Sequence, residues 1–189
     1  GCEMFDKILH QSRTMKNVAI LPGYELDLSA KLKKCTDVWL NTPLRPFEAS
    51  GTSGMSANMN GALHLSIYDG WAVEGTFPGI NGYTVEYPGL DDEIPWEERH
   101  KKDYECIMNI IEKPIIPTYY DKKLQWARLM RQAIRTSEAY FNSDRMVIEY
   151  YNRLYKPIAH EDPKEGGLDN NFEIQTNPNY EAWTYANIK

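Results

Sequence analysis

The feature that most constrains the fold is a helical segment between two short apolar runs near the start of the chain. Residues 17–21 (NVAIL) and 37–40 (DVWL) have the length and composition of buried strands, and residues 25–35 between them repeat leucine at helical spacing. Strands that are apolar on both faces and joined by a helix are typical of a parallel sheet flanked by helices. The sequence therefore predicts an α/β fold.

A glycine-rich loop follows the second of these runs. Residues 47–62 (FEASGTSGMSANMNGA) lead to a further predicted strand at residues 63–67 (LHLSI), with a helix expected to begin once past Gly54. Ligands of open parallel sheets bind outside the carboxyl ends of the strands, so this loop lies where a ligand is expected. Residues 68–89, rich in glycine and aromatic residues, predict a loop region over a pocket mouth.

The second half of the chain is predicted to be helical. One apolar stripe at helical spacing runs from Trp126 to Ile134, and another follows a predicted N-cap at Ser143. The mixed charge of residues 91–105 predicts a solvated helix face. Residues 156–189 are rich in proline, glycine, asparagine and acidic residues and predict a poorly ordered or peripheral tail, which leaves residues 1–155 as the folded domain.

Charge, cysteine content and hydropathy exclude several classes of protein. With 21 Lys and Arg against 27 Asp and Glu, the net charge of −6 gives no reason to expect nucleic acid or an anionic membrane as a partner. Three scattered cysteines and four histidines lack metal-ligand spacing, so no metal is predicted, and His64 is expected to be a core residue. Without a secretory segment or long apolar run, the chain is expected to be cytoplasmic.

The glycine-rich loop has the composition of an anion site. Gly51 and Gly54 remove side chains where an anion would meet backbone amides at a helix start, and Thr52 adds a hydroxyl donor. Glu48 would repel an anion unless it binds a neighbouring group that carries hydroxyls, so a sugar phosphate suits both features. A plain helix N-terminus with a solvated Glu48 fits the same residues, and both interpretations stay open at this point.

Residues 38–75 (VWLNTPLRPFEASGTSGMSANMNGALHLSIYDGWAVEG) resemble the α-glucan phosphorylases, the family of glycogen, starch and maltodextrin phosphorylases. The resemblance continues in residues 18–32 and, more loosely, in residues 114–121 and 127–155. It implies part of the second Rossmann-like domain of a two-domain GT-B glycosyltransferase. The N-terminal domain and the early strands of the second domain would then lie outside this chain, and the chain alone would be inactive.

The resemblance also implies roles for individual residues. Glu48, Ser50 and Gly51 are expected to bind the transferred glucose, with Glu48 as the catalytic candidate. Gly51 and Thr52 are expected to hold the phosphate of pyridoxal phosphate, and Tyr24 to line the cofactor pocket. The implied reaction is reversible phosphorolysis of an α-1,4-glucan to glucose 1-phosphate. The implied partners are therefore glucan, phosphate or a sugar phosphate and the N-terminal domain, and a homo-oligomer is compatible with them.

Ser56 departs from the family pattern, because it occupies the position of the lysine that forms the cofactor imine. A serine hydroxyl cannot form a stable imine, so tethered pyridoxal phosphate is not expected here. The serine could be an introduced substitution, or the chain could come from a paralogue that retains only glucan or sugar-phosphate binding. It could also belong to a synthase-like transferase in which the diphosphate of a nucleotide sugar fills the cofactor's space. Whether the chain is part of an enzyme therefore stays open.

Overall fold

The structure is a computed structural model that describes residues 1–23, 25–45, 47, 51–87 and 94–156. The chain divides into two compact units, of which the first is Gly1–Leu32 and the second begins at Lys33. In the first unit, helix α1 spans Cys2–Ser12. Helix α2, Leu26–Cys35, begins in the first unit and confirms the helix predicted at residues 25–35. Apart from Lys156, the predicted tail lies outside the described residues.

The predicted strand at residues 17–21 is wrong. The described part of this segment has no strand conformation, and the amide of Val18 donates to the carbonyl of Met15 at 3.5 Å in a turn. Val18 and Leu21 remain 45% and 54% exposed. An apolar segment forms a stable strand only where a neighbouring strand pairs with it and its side chains are buried. The sequence of the segment alone does not determine that pairing.

Three parallel strands form the sheet described in the second unit, in the order β1 (Val38–Asn41), β2 (Leu63–Ile67) and β3 (Gly82–Val85). The central strand is β2, and all five of its residues are buried. Strand β1 is only partly covered, with Leu40 50% exposed, because within the described sheet it lies at an edge. The predicted α/β class with a parallel sheet and helices is confirmed, as is the predicted strand at residues 63–67.

Two short helices connect the strands. Helix α3, Thr52–Met59, begins earlier than predicted, because Gly51 adopts the extended conformation of an N-cap residue (φ −90°, ψ −179°) and lets the helix start at once. Helix α4, Trp71–Gly75, follows β2. Residues 68–89 are therefore not a simple loop, since α4 and the buried strand β3 both lie within this range.

The second half of the chain is helical, as predicted. Helix α5 continues through a π-helical turn into α6, a sequence that includes Pro114. A proline has no amide hydrogen to donate, and a widened turn tolerates it better than a regular α turn. The described elements are α5 (Trp96–Ile110), the π-helical turn Ile111–Ile115, α6 (Ile116–Asp121), α7 (Lys123–Tyr140), α8 (Ser143–Tyr150) and a second π-helical turn, Tyr151–Tyr155.

The core packs α7 and the π-helical turn against the sheet. Trp126 and Leu129 of α7 and Ile115 of the turn lie with Leu63 and Leu65 of β2 in one buried cluster. The apolar stripe of α7 is thereby confirmed as core packing.

The predicted N-cap of α8 is wrong by one residue. The side chain of Asn142, rather than that of Ser143, accepts a hydrogen bond from the amide of Arg145 at 2.8 Å.

Candidate functional site

The loop after β1 is tied to the carboxyl edge of the sheet by two arginines. Nη1 of Arg45 donates to the carbonyl of Tyr68, the first residue after β2, at 2.9 Å. Nη1 of Arg99 in α5 donates in turn to the carbonyl of Arg45 at 2.7 Å. Because parallel strands end at the same edge, these bonds hold the chain that leads toward Gly51 beside the ends of β1 and β2.

Four aromatic residues near this edge have packing partners. Trp71 and Tyr83 are buried, and the ring of Trp96 stacks on Phe47 with 5.9 Å between centroids. The hydroxyl of Tyr87 donates to Asp103 at 3.0 Å, and burial with this carboxylate raises the pKa of Tyr87 to about 12. Each of these rings therefore has a packing or hydrogen-bonding role within the fold.

The first turn of α3 is open. Its N-cap residue Gly51 and the following Thr52 are exposed, and within the described residues no side chain caps the helix and no acidic residue lies in its first turn. The first amides of an α-helix have no acceptor within the helix and carry the positive end of its dipole. A Cβ at Gly51 would meet no atom of the described residues within 4 Å. This end of α3 has the chemistry of an anion site.

Ser56 lies one turn further along α3, and its hydroxyl is hydrogen-bonded. Oγ donates to the carbonyl of Thr52 at 3.0 Å, a contact that satisfies the serine within its own helix. The open amides fit the phosphate of pyridoxal phosphate, but a serine hydroxyl does not fit its aldehyde, because no imine can form. The residues present therefore do not fit a tethered cofactor. Tyr24, Glu48 and Ser50 lie outside the described residues, and their roles stay predictions.

A buried histidine of strand β2 packs against the first turn of α3. A Cβ added to Gly54 would lie 2.4 Å from Nε2 of His64, so the helix and β2 meet in a contact that only glycine allows. The His64 ring stacks on Trp71 with 4.7 Å between centroids, and Nδ1 lies 3.1 Å from Oγ1 of Thr76. Burial lowers the pKa of His64 to about 4, so the ring is neutral near pH 7. The core position of His64 was predicted, but this contact with α3 was not.

The described residues contain no group of three or more His, Cys, Asp or Glu side chains that could hold a metal ion. All three cysteines are free thiols, with Cys2 and Cys35 exposed and Cys106 partly covered. Within the same described ranges, every helix is too short or too polar to cross a membrane.

Relatives are found along most of the chain. It is 38% identical over 158 residues to the maltodextrin phosphorylase of Thermococcus litoralis, covering 82% of this chain and 19% of that protein. It is 41% identical over 150 residues to the glycogen phosphorylase of Aquifex aeolicus, covering 77% and 21% of the two chains. The glycogen phosphorylase of Mycobacterium tuberculosis is 34% identical over 147 residues, with coverage of 75% and 17%. The chain belongs to the α-glucan phosphorylase family.

The chain spans about a fifth of the length of these curated relatives. No model of a protein family matches it. No solved structure matches it either. Membership of the α-glucan phosphorylase family therefore rests on sequence identity to the named phosphorylases, and it agrees with the resemblance seen in residues 38–75.

Proposed function

We propose that this chain contributes the phosphate-binding side of the active site in an α-glucan phosphorylase-type glycosyltransferase. The proposed reaction transfers glucosyl units between an α-1,4-glucan and phosphate, with glucose 1-phosphate as the phosphorylated sugar. The proposed architecture is part of the second Rossmann-like domain, residues 1–155, of a cytoplasmic two-domain GT-B protein. Family membership supports this function, and the open first turn of α3 is the observation that carries it.

The proposed roles follow from the chemistry of each group. The amides of Gly51 and Thr52 would donate charge-assisted hydrogen bonds to a phosphoryl oxygen, which the positive end of the α3 dipole also favours. Glu48 would accept hydrogen bonds from glucose hydroxyls, with Ser50 beside it. Tyr24 would line the same pocket. The amides provide no proton-transfer group, so this part of the site would bind and orient the ligand.

Ser56 favours a second candidate function. Serine is much shorter than lysine, and its hydroxyl is turned back to the Thr52 carbonyl. We infer that this leaves space near the proposed phosphate position. The diphosphate of a nucleotide sugar could use that space, so a synthase-like transferase is the alternative enzyme. A paralogue that binds glucan or sugar phosphate without catalysis shares the same amides. In all three cases we propose that the phosphorylated ligand is held without a covalent bond to position 56.

Restoring the lysine tests whether the site has the geometry of its family. The Ser56→Lys variant, incubated with pyridoxal phosphate and reduced with borohydride, is expected to carry one phosphopyridoxyl group at position 56 by peptide mass mapping. The wild-type chain is expected to carry none in that peptide. Met59→Lys is the matched control, because position 59 is exposed on the same helix but lies at its far end. Equal labelling of the two lysine variants would contradict a cofactor-shaped site.

The reaction itself is tested in the protein that carries this chain. Release of glucose 1-phosphate from glycogen and inorganic phosphate would support the phosphorylase. Incorporation of glucose into glycogen from a nucleotide sugar would support the synthase-like transferase instead. Glycogen binding without either reaction would support the non-catalytic paralogue, and the absence of binding to both glycogen and glucose 1-phosphate would contradict all three.

A further inference from the structure

A cavity lies at the opposite edge of the sheet, beside the amino end of β1. Its volume is about 370 Å³, which is in the range of small-ligand pockets. Asp37 and Val38 line it from the start of β1, and residues of α6 and α7 line it from the other side. Since β1 runs from Val38 to Asn41 and the loop to α3 follows, this amino-edge pocket and the open end of α3 lie at opposite ends of the strand.

The inner side of the amino-edge pocket is apolar and its mouth is aromatic. Ile115 and Trp126 are 6% and 5% exposed, whereas Tyr120 is 66% exposed. Tyr119 contacts both Trp126 and Tyr120 edge-to-face, with 5.0 Å between centroids in each pair. These contacts fix the orientation of the rings and leave much of Tyr120 in solvent. An exposed aromatic ring of this kind can pack on the apolar face of a pyranose.

A fixed carboxylate lies next to these rings. Oδ2 of Asp37 accepts a hydrogen bond from the Tyr119 hydroxyl at 3.3 Å, and the Asp37 carbonyl accepts one from the amide of Leu63 at 2.9 Å. Asp37 raises the pKa of Tyr119, so the phenol stays protonated and donates. A carboxylate offers about four acceptor positions, which leaves capacity for hydroxyl groups of a ligand. Asp37 is thus a hydrogen-bond acceptor, oriented by these two bonds, that could bind vicinal hydroxyl groups of a ligand.

The charges around the amino-edge pocket disfavour ionic ligands. Nζ of Lys123 lies 4.8 Å from the ring centroid of Tyr119 and 5.8 Å from that of Tyr120, so the chain's own ammonium takes the cation–π position. A second cation there would meet like-charge repulsion, and the Asp37 carboxylate repels an anion. A neutral ligand with an apolar face and several hydroxyls fits the remaining chemistry.

We propose that the amino-edge pocket binds a pyranose unit of an oligosaccharide, with Tyr120 as the stacking ring and Asp37 as the hydroxyl acceptor. This site is separate from the open end of α3 and does not depend on a phosphorylated ligand or on the residue at position 56. In a glycosyltransferase it would give a polymeric substrate a second point of attachment, remote from the reacting sugar, and so raise the local concentration of substrate.

Titration with maltotriose tests the proposal. The 189-residue chain, labelled with ¹⁵N, is expected to bind maltotriose with amide shifts at Asp37 and Tyr120. Tyr120→Ala and Asp37→Asn are each expected to weaken binding about fivefold, through loss of stacking and of the charged acceptor. Tyr104→Ala is the matched control, because Tyr104 on α5 is 64% exposed and lies outside the amino-edge pocket. It is expected to keep wild-type affinity.

Three results would overturn the pyranose site. The first is equal affinity of Tyr120→Ala and Tyr104→Ala for maltotriose. The second is displacement of maltotriose by tetramethylammonium, which would identify a cation site. The third is the absence of amide shifts at Asp37 and Tyr120 at saturating maltotriose. Circular dichroism melts of each variant establish that the chain is folded, so that a loss of binding reports on the pocket.

Discussion

The two edges of the sheet offer binding groups of different kinds. At the carboxyl edge, the groups open to a ligand are backbone amides at the start of α3, next to Gly51. At the amino edge they are side chains, where Asp37 meets Tyr119 across 82 positions of sequence. An amide site can be specified by a short run of glycines and small residues. A side-chain pocket is assembled from distant parts of the chain and leaves no local pattern.

The difference also determines what a substitution should change. The open turn of α3 is positioned by close packing beneath it, where Gly54 meets His64. The rim of the amino-edge pocket consists of exposed side chains such as Tyr120. We therefore expect substitutions below the carboxyl edge to cost stability, and substitutions at the amino edge to cost binding with little change in the fold.

The largest expected effect is that of Gly54→Ala. The new methyl group would overlap the His64 ring, which cannot move away easily because it stacks on Trp71 and contacts Thr76. We expect the free energy of unfolding to fall by about 3 kcal/mol, measured by urea denaturation. Gly51→Ala is the control, since its methyl group would meet no atom of the described residues, and it should cost about 0.5 kcal/mol or less. Equal losses would show that His64 does not constrain α3.

A smaller effect is expected from acid. His64 has a folded pKa of about 4, below the ordinary 6.5, so the unfolded chain binds its proton first as the pH falls. The stabilisation that comes from burying the neutral His64 ring is fully present above the ordinary pKa of 6.5. It is lost as the pH falls toward the folded pKa of about 4. We expect about 2 kcal/mol of lost stability between about pH 7.5 and about pH 5 from this residue.

The His64→Gln variant isolates that contribution. Carboxylates also titrate in acid, so the measured quantity is the difference between the wild-type and variant slopes of unfolding free energy against pH. The slope should be shallower in His64→Gln by the amount given above. His100→Gln, which removes an exposed histidine of α5, should keep the wild-type slope. Parallel slopes for wild type and His64→Gln would mean that the buried ring is not protonated preferentially in the unfolded chain.

The smallest expected effect lies at the amino edge. Tyr119→Phe removes only the hydroxyl that bonds Asp37 at 3.3 Å and keeps the ring contacts with Trp126 and Tyr120. Because the bond is solvent-exposed, we expect a loss of unfolding free energy in urea denaturation that is much smaller than that of Gly54→Ala. A loss as large as that of Gly54→Ala would show that this hydroxyl is part of the core, and the contrast between the two edges would fail.

The fold was predictable where apolar residues are dense and have partners. Strand β2 was found because all five of its residues are buried, and the stripe of α7 because Trp126, Leu129 and Ala133 are buried. The run at residues 17–21 has the same composition and forms no strand. Strand β3 was missed because Gly82 suggested a loop. In the structure that glycine is required by the sheet, since a Cβ there would lie 2.4 Å from the His64 carbonyl oxygen.

The candidate site was predictable only where it is contiguous. Gly51, Thr52 and Ser56 were located by a continuous motif, and the structure places them on one short helix. The contact of Gly54 with His64 joins helix α3 to strand β2. The only sign of this contact in the sequence was a glycine within the predicted helix. Nothing in the sequence joins Asp37 to Tyr119, because their proximity depends on how α6 and α7 pack against the sheet.

The π-helical turn between α5 and α6 changes the direction of every side chain that follows it. A π turn holds one residue more than an α turn, so each later side chain is rotated by about 100° from its place on an uninterrupted helix. Tyr119 and Tyr120 follow that turn, which therefore sets the directions of both side chains, including that of the Tyr119 hydroxyl toward Asp37. Deleting a single residue near Pro114 would regularise the helix and swing both rings off the cavity. A deletion of one residue there is therefore expected to abolish the proposed pyranose site.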